Sequence, residues 1–238
     1  MVCFIRLFTW GMDMKKQTIA VFLLKRWLMG LLLIPLITMP AIDGVWADPG
    51  ASEEKPYSTL LNSLKNGSGP VDFLVLRIAY TKTPEYNPYN EDADTASSMF
   101  MALNEKKYEE ALSHAQKILA GNYVDIDAHY VSSKAYFNLG NQERDKFHWF
   151  VFRGLIKSIM ESGDGLSPET ARMVINVREE YVILSILGFK AGKQQLIHLN
   201  GHEFDKLSVV GKEKGDSKEI YFNVDIPYKW LKAKTGAK

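Results

Sequence analysis

Met99-Phe100-Met101-Ala102-Leu103-Asn104-Glu105-Lys106-Lys107-Tyr108-Glu109-Glu110-Ala111-Leu112-Ser113-His114-Ala115 spells a helix, a turn and a second helix facing the first. Met99, Phe100 and Leu103 share one helical face, and the polar run Asn104–Lys107 breaks it. Tyr108, Ala111, Leu112, Ala115 and Ile118 then recur at helical spacing. A matching unit begins in Asp127–Leu139, turns at Gly140-Asn141 and continues through Phe147, Phe150, Val151 and Leu155. Leu103 aligns with Leu139 and Leu119 with Leu155, an offset of 36 residues. The reading is two helical hairpins within residues 92–160.

That offset is close to the period of about 34 in tetratricopeptide repeats. Lys107-Tyr108-Glu109-Glu110-Ala111-Leu112 resembles the start of the second helix of such a repeat. The second copy is degenerate, with Arg144 in place of the tyrosine and Phe147 in place of the small alanine. Independent solenoids need about three or more repeats, so neighbouring elements must cap these two units. Two helices are expected upstream. Tyr57–Lys65 carries Leu60, Leu61 and Leu64, and Val71–Tyr80 carries Phe73, Leu76, Arg77 and Tyr80 on one side. Between them and the hairpins, Thr83-Pro84-Glu85-Tyr86-Asn87-Pro88-Tyr89-Asn90 reads as a rigid extended loop.

The pattern changes after Glu161-Ser162-Gly163-Asp164-Gly165. Ala171–Val177 reads as a strand, and Glu179-Glu180 as the opening of a short helix with Tyr181, Leu184 and Leu187. Leu196–Leu199, Asn200-Gly201 and Glu203–Val210 make a hairpin. Lys212–Ser217 reads as a further turn. Ile220, Phe222, Val224 and Ile226 then alternate with polar residues until Pro227 ends the strand. The expected fold is α+β: N-terminal tetratricopeptide-like helical hairpins over residues 57–161, then a small, largely antiparallel sheet with one helix over 162–238.

The N-terminal 47 residues have another character. Lys15 and Lys16 precede an apolar run from Trp27 to Ile42, and Val45-Trp46-Ala47 offers a small-residue cleavage site. Residues 1–47 are expected to be a signal peptide, with Met1–Asp13 outside the translated product if Met14 is the start. Residues 48–56 are polar and are expected to be a disordered leader. A spanning helix needs about 20 apolar residues. This run is shorter and carries Pro35 and Pro40, so no stable membrane span is expected after cleavage. The expected localisation is export, periplasmic or extracellular. The single cysteine, Cys3, lies in the segment to be removed, leaving no thiol for disulfides, metal or catalysis. Removal of Arg6, Lys15, Lys16, Lys25, Arg26, Asp13 and Asp43 leaves 24 basic and 26 acidic side chains. That near balance argues against nucleic acid as a partner.

A family resemblance rests on several segments in order: Leu76-Arg77-Ile78-Ala79-Tyr80; Pro84-Glu85-Tyr86-Asn87-Pro88-Tyr89; Ser162-Gly163-Asp164-Gly165 with Glu169-Thr170-Ala171; Val174-Ile175; Glu180-Tyr181 with Leu187-Gly188; and Tyr221-Phe222-Asn223-Val224. With these the chain resembles the DUF4919 family. The resemblance implies a secreted bacterial protein with a tetratricopeptide-like part, and implies no catalytic residue or cofactor.

The residues offer few chemical constellations. Arg77 beside Tyr80, Tyr86 and Tyr89 could hold a carboxylate or stack on a sugar or peptide, or could fix the proline-rich loop. Ser162-Gly163-Asp164-Gly165 lacks the ending of a phosphate loop and the oxygen ligands of a calcium loop, and reads mainly as a tight turn. Asp164 and Glu169 would matter if they shared a cleft. His129 and His148 could approach each other, with Asp125 and Asp127 nearby, and His198 and His202 flank the hairpin turn. No third ligand is placed, so no metal site and no cofactor are expected. The functional expectation is a non-enzymatic protein- or peptide-binding or scaffold module of the cell envelope, its partner an envelope protein or peptide. Ligand-binding candidates are Arg77, Tyr80, Tyr86, Asp164 and Glu169. The alternatives are an envelope-polymer hydrolase with carboxylates from Asp164, Glu169 and Glu180, or a small-molecule-binding protein with its site at the junction of the two halves.

Overall fold

Six of the eight helices described below begin where an aspartate, an asparagine or a proline fixes the first turn. The computed structural model describes residues 55–89, 92–211 and 217–236. The signal read in residues 1–47, the leader to residue 54 and most of the turn after Gly211 lie outside the described residues. Helix α1 spans Tyr57–Asn66 after Pro56, and α2 spans Phe73–Tyr80. The Asp72 carboxylate caps α2, accepting from the backbone N–H groups of Leu74 and Val75 at 2.9 and 3.0 Å. Helices α3 (Ala93–Asn104), α4 (Tyr108–Gly121), α5 (Ile126–Asn138) and α6 (Gln142–Met160) follow. Asp92, Asp125 and Asn141 cap α3, α5 and α6 in the same way. Helix α4 has no side-chain cap, but Glu109 and Glu110 in its first turn complement the exposed N–H groups.

The two hairpins repeat at 34 residues, not 36. Lys106 and Gly140 occupy the left-handed region at φ 61° and 77°. The bonds that close the α3–α4 turn recur residue for residue in the α5–α6 turn. Lys107 N–H donates to the Ala102 carbonyl at 2.8 Å, and Asn141 N–H to Tyr136 at 2.9 Å. Lys106 donates to Leu103 at 3.1 Å, and Gly140 to Phe137 at 3.2 Å. The counterpart of Leu103 is therefore Phe137, and Leu139 matches Glu105. Leu119 and Leu155 are both buried, at the expected offset of 36. Two residues correspond to about 200° of helix rotation. Helix α6 thus buries a different stripe from α4, because it also packs on α2 and on the first strand.

After α6 the chain makes a single 3-10 turn at Pro168–Thr170 and a two-residue strand β1, Arg172–Met173. Helix α7 spans Val177–Ile186, capped by Asn176, whose side chain accepts from Arg178 N–H at 2.7 Å. Strands β2 (Lys190–Leu199), β3 (His202–Val210) and β4 (Ser217–Asn223) and helix α8 (Asp225–Thr235) complete the chain. Sheet order is β1-β4-β3-β2, antiparallel except for the parallel β1–β4 pair. The hairpin turns at Asn200 and Gly201, φ 53° and 80°, the mirror-image turn that matches strand twist. Edge strand β2 is exposed along nearly all its length.

Two sequence expectations change. The strand read over Ala171–Val177 stops at Met173, because Asn176 starts a helix and the Ile175 N–H is taken by the Glu179 carboxylate at 2.9 Å. The sheet carries two helices rather than one. Pro227 sits third in α8, where a missing N–H costs no intrahelical bond. Lys229, Lys232 and Lys234 belong to that helix.

One core runs through both halves. Leu76, Leu155 and Ile159 from the helices join Ile183, Leu184, Leu207, Ile220 and Phe222 from the sheet half. A second cluster, rich in alanine, lies among α3, α4 and α5: Met99, Ala102, Ala111, Ala115, Leu119, Ala128 and Val131. Where α2 meets α6, Gly154 lets the Phe73 ring lie directly on the helix backbone, and a Cβ there would stand inside the ring. Gly154→Ala is expected to destabilise the fold by about 1–3 kcal/mol in urea titration, despite the better helix propensity of alanine. Adding Phe73→Leu should recover part of that loss, which a loss due to propensity would not show.

Candidate functional site

Arg77 sits at the centre of the fold, fully buried. Its Nη2 and Nε donate to the Glu179 carboxylate at 2.6 and 3.2 Å, a bidentate pair between α2 and α7. Nη2 also reaches the Met173 carbonyl in β1 at 3.2 Å, and Nη1 the Ser158 hydroxyl in α6 at 3.3 Å. The Tyr86 hydroxyl donates to the Ile175 carbonyl at 2.6 Å, and its ring meets Tyr80 edge-on at 5.7 Å. Burial pushes the Tyr86 phenol up and that of Tyr80 to about 12, with Asp125 and Glu85 adding at Tyr80. The arginine and the two tyrosines are thus brought together, with the Arg77 guanidinium and the Tyr86 hydroxyl committed to the protein. A cavity beside them, lined in part by Tyr80, Tyr86, Asp127, Asn176 and Glu179, measures about 20 Å³. That is room for a single water, not for a small-molecule ligand.

Asp164 and Glu169 lie elsewhere, on one exposed turn. The Asp164 carboxylate accepts from the Thr170 hydroxyl at 2.5 Å and from Leu166 N–H at 2.9 Å, bonds that lower its pKa. The Ser167 hydroxyl lowers that of Glu169. The glycines here differ in purpose. Gly165 needs its φ of 70°, whereas Gly163 passes so close to the Thr170 carbonyl that no Cβ fits. Gly165 is bonded on both sides, to Thr170 O and from Tyr221 N–H, each at 2.8 Å.

Glu180, third of the carboxylates named from sequence, is fully buried on α7 with neither oxygen given a well-directed hydrogen bond. Its neighbour is Asp205 on β3, a residue that no sequence pattern singles out. Gln194 Nε2 donates to Asp205 at 2.7 Å and Tyr181 donates to Gln194 at 2.8 Å. Burial, then the Asp205 charge, push the Glu180 pKa up to about 9, so at neutral pH it holds its proton beside the Asp205 carboxylate. This acid pair closes one side of the core and borders neither of the cavities described here.

A larger opening lies among the helices. A groove of about 580 Å³ runs between α4 and α6, with α5 as its floor and the end of α1 at its side. Gln116, Leu119 and Ala120 form one wall, Glu143, Arg144, Phe147 and His148 the other, and Ser132 and Tyr136 the floor. Lys65 and Tyr123 close one end, the ammonium 4.2 Å from the ring centroid. The Ser132 hydroxyl is buried with no partner. His148 makes an Nδ1–Nδ1 contact of 2.9 Å with His129, whose Nε2 lies 2.9 Å from the Tyr123 carbonyl. A carbonyl only accepts, so His129 carries its proton on Nε2. Its Nδ1 is then the acceptor, and His148 must donate from Nδ1. The remaining His148 nitrogen, Nε2, is an acceptor with no partner among the described residues. Burial lowers the pKa of His129 to about 3 and that of His148 to about 4, with Arg144 adding to the effect at His148. Both rings are neutral near pH 7.

The carboxylates near His129 have other duties: Asp125 caps α5, and Asp127 pairs with Arg178. His198 pairs with Glu203 and His202 with Asp225. Among the described residues no group of three histidine, cysteine or acidic side chains is placed to hold a metal ion. No helix among them is long and apolar enough to cross a membrane.

Removal of one partner of the central ion pair strands the other in the core. Arg77→Met is expected to cost about 3–5 kcal/mol in chemical denaturation, and Arg77→Met with Glu179→Met distinctly less. The acid pair sets the alkaline limb of stability. Glu180 folds with a raised pKa, so the folded state holds more protons than the unfolded one between 4.5 and about 9, and stability falls as pH rises through that window. The histidines, depressed from 6.5, act oppositely, and their contribution is lost as pH falls below that value. Glu180→Gln is expected to stabilise the protein at pH 7 by on the order of 2 kcal/mol and to flatten the alkaline limb alone. Melting curves from pH 4 to 9 decide this; an unchanged alkaline slope contradicts the assignment.

No curated protein and no solved structure matches the chain. A family model does match, Domain of unknown function (DUF4919), over residues 55–232. That match runs from the start of α1 into α8, through every helix and strand described above, and the chain belongs to the DUF4919 family.

Proposed function

We propose that this protein is a peptide- or protein-binding module of the cell envelope, and that its ligand lies in the groove between α4 and α6. One observation carries the reading. The groove, about 580 Å³, is within the size range of ligand sites and keeps polar atoms on its floor and wall that the fold does not satisfy: the Ser132 hydroxyl and His148 Nε2. The Ser132 hydroxyl is buried and unpaired, and buried polar groups are normally paired, so a site that also presents His148 Nε2 suits a ligand that supplies the partners. Tyr123, Tyr136 and Phe147 add apolar surface for side chains. Envelope location rests on the sequence signal at Met14–Ala47. The candidates Arg77, Tyr80 and Tyr86 then act as the frame that fixes the helices and the sheet, and Asp164 and Glu169 as a turn.

Ala120 is exposed on the α4 wall, so a tryptophan there fills the groove without entering the core. A displayed library of random dodecapeptides panned on the full-length chain is expected to yield binders that lose most of their affinity for the Ala120→Trp variant. No enrichment on the wild-type chain, or enrichment that the variant shares fully, overturns the reading.

A further inference from the structure

Taking the groove to be the ligand site, we infer that it selects peptides carrying a carboxylate, held by Arg144 and Lys65 while a peptide N–H is donated to His148 Nε2. The charges at the groove are uneven. Lys65 and Arg144 stand at its end and wall, and Glu143 is the sole acid among its lining residues. Neither cation has a carboxylate partner among the described residues. The Lys65 ammonium lies over the face of Tyr123, a contact that does not neutralise its charge. Both cations act on the histidine pair. Burial comes first in keeping the two rings unprotonated, but Lys65 contributes at His129 and Arg144 at His148, so a positive potential reaches the groove floor.

The fixed tautomers refine the chemistry. With His129 Nε2–H committed to Tyr123 and His148 Nδ1–H to His129, the group presented to the ligand is a lone pair. A ligand made only of acceptors, such as sulfate, meets two cations but is repelled by that nitrogen. A peptide offers both kinds of group within a few bonds, an N–H for His148 and a carboxylate for the cations. Tyr136, stacked at 26° on His148, and Ser132 beneath it complete a floor suited to a peptide unit. The carboxylate could come from the chain terminus or from an acidic side chain, and the same two cations would read either.

Four pools of random hexapeptides separate these sources: Glu or Gln fixed at one internal position, each with a free or an amidated C-terminus. Each pool is passed over the immobilised full-length chain and over Arg144→Glu and Ala120→Trp, both at exposed positions. Retention is measured by mass spectrometry. At least one acidic pool is expected to be retained about ten-fold better than the Gln-amide pool, the size of one charge-assisted hydrogen bond, and that preference should vanish in Arg144→Glu. The pool that shows it identifies the carboxylate. Equal retention of all four pools, abolished by Ala120→Trp, overturns the carboxylate inference and leaves the groove reading standing. An acidic preference that survives Arg144→Glu also overturns the inference. Retention by wild type no better than by Ala120→Trp removes both.

Discussion

The polar link at the centre of the joint between helices and sheet is the Arg77 guanidinium. Four hydrogen bonds from one rigid plane are spread over α6, β1 and α7, and the Glu179 carboxylate that takes two of them also takes the Ile175 N–H. Removing such a charge from water is expensive, and a hydrophobic cluster of equal size could give as much stability. What the pair supplies is geometry. A guanidinium accepts partners only in its own plane, so α2, α6, β1 and α7 are held at one relative placement. Tyr86 adds a second tie to the same short segment through the Ile175 carbonyl.

That frame lets two repeats stand where three are usual. The α3–α4 and α5–α6 hairpins share a turn geometry at a spacing of 34 residues, yet their second helices present different faces inward. Helix α6 is long because it serves two structures, packing on α5 as a repeat helix and on α2 and β1 as part of the main core. The first turns of the same face form the groove wall with Arg144, Phe147 and His148. The C-terminal half thus acts as the cap that a short helical array requires.

Sequence reading recovered the elements whose signals are local. The paired helices, the Asn200-Gly201 hairpin and the order of helices before strands follow from periodicity and turn chemistry. Ala171–Val177 has the composition of a strand, and that composition masks a local signal: Asn176 and Glu179 are spaced as a helix-capping pair and draw the end of the segment into a cap. What depends on long-range contact is not legible. Pro227 looks like a terminator until its place in a first helical turn is known. Of the cluster read as Arg77, Tyr80, Tyr86 and Tyr89, the first three meet in the fold, whereas Tyr89 lies against Trp230. The Arg77 guanidinium and the Tyr86 hydroxyl bond to the protein rather than face a ligand, which no sequence pattern distinguishes. The groove residues Lys65, Ser132, Tyr136 and Arg144 come from two helices and the end of a third. The one available hint was the expected meeting of His129 and His148.

The two hydrophobic clusters differ in kind, and the groove lies across their boundary. The main core is built from large side chains tied by the ion pair, whereas the cluster under α3 and α4 is mostly alanine and buries far less apolar surface per residue. Proteins open in cooperative pieces, and the piece with less buried surface opens first. Helix α4 therefore belongs to the more readily opened piece and α6 to the last to go. A molecule lying between them would act as a splint, slowing amide exchange in α3 and α4 while leaving the rest of the chain unchanged. Occupancy would then be readable as a local gain in protection at a distance from the contacts that cause it.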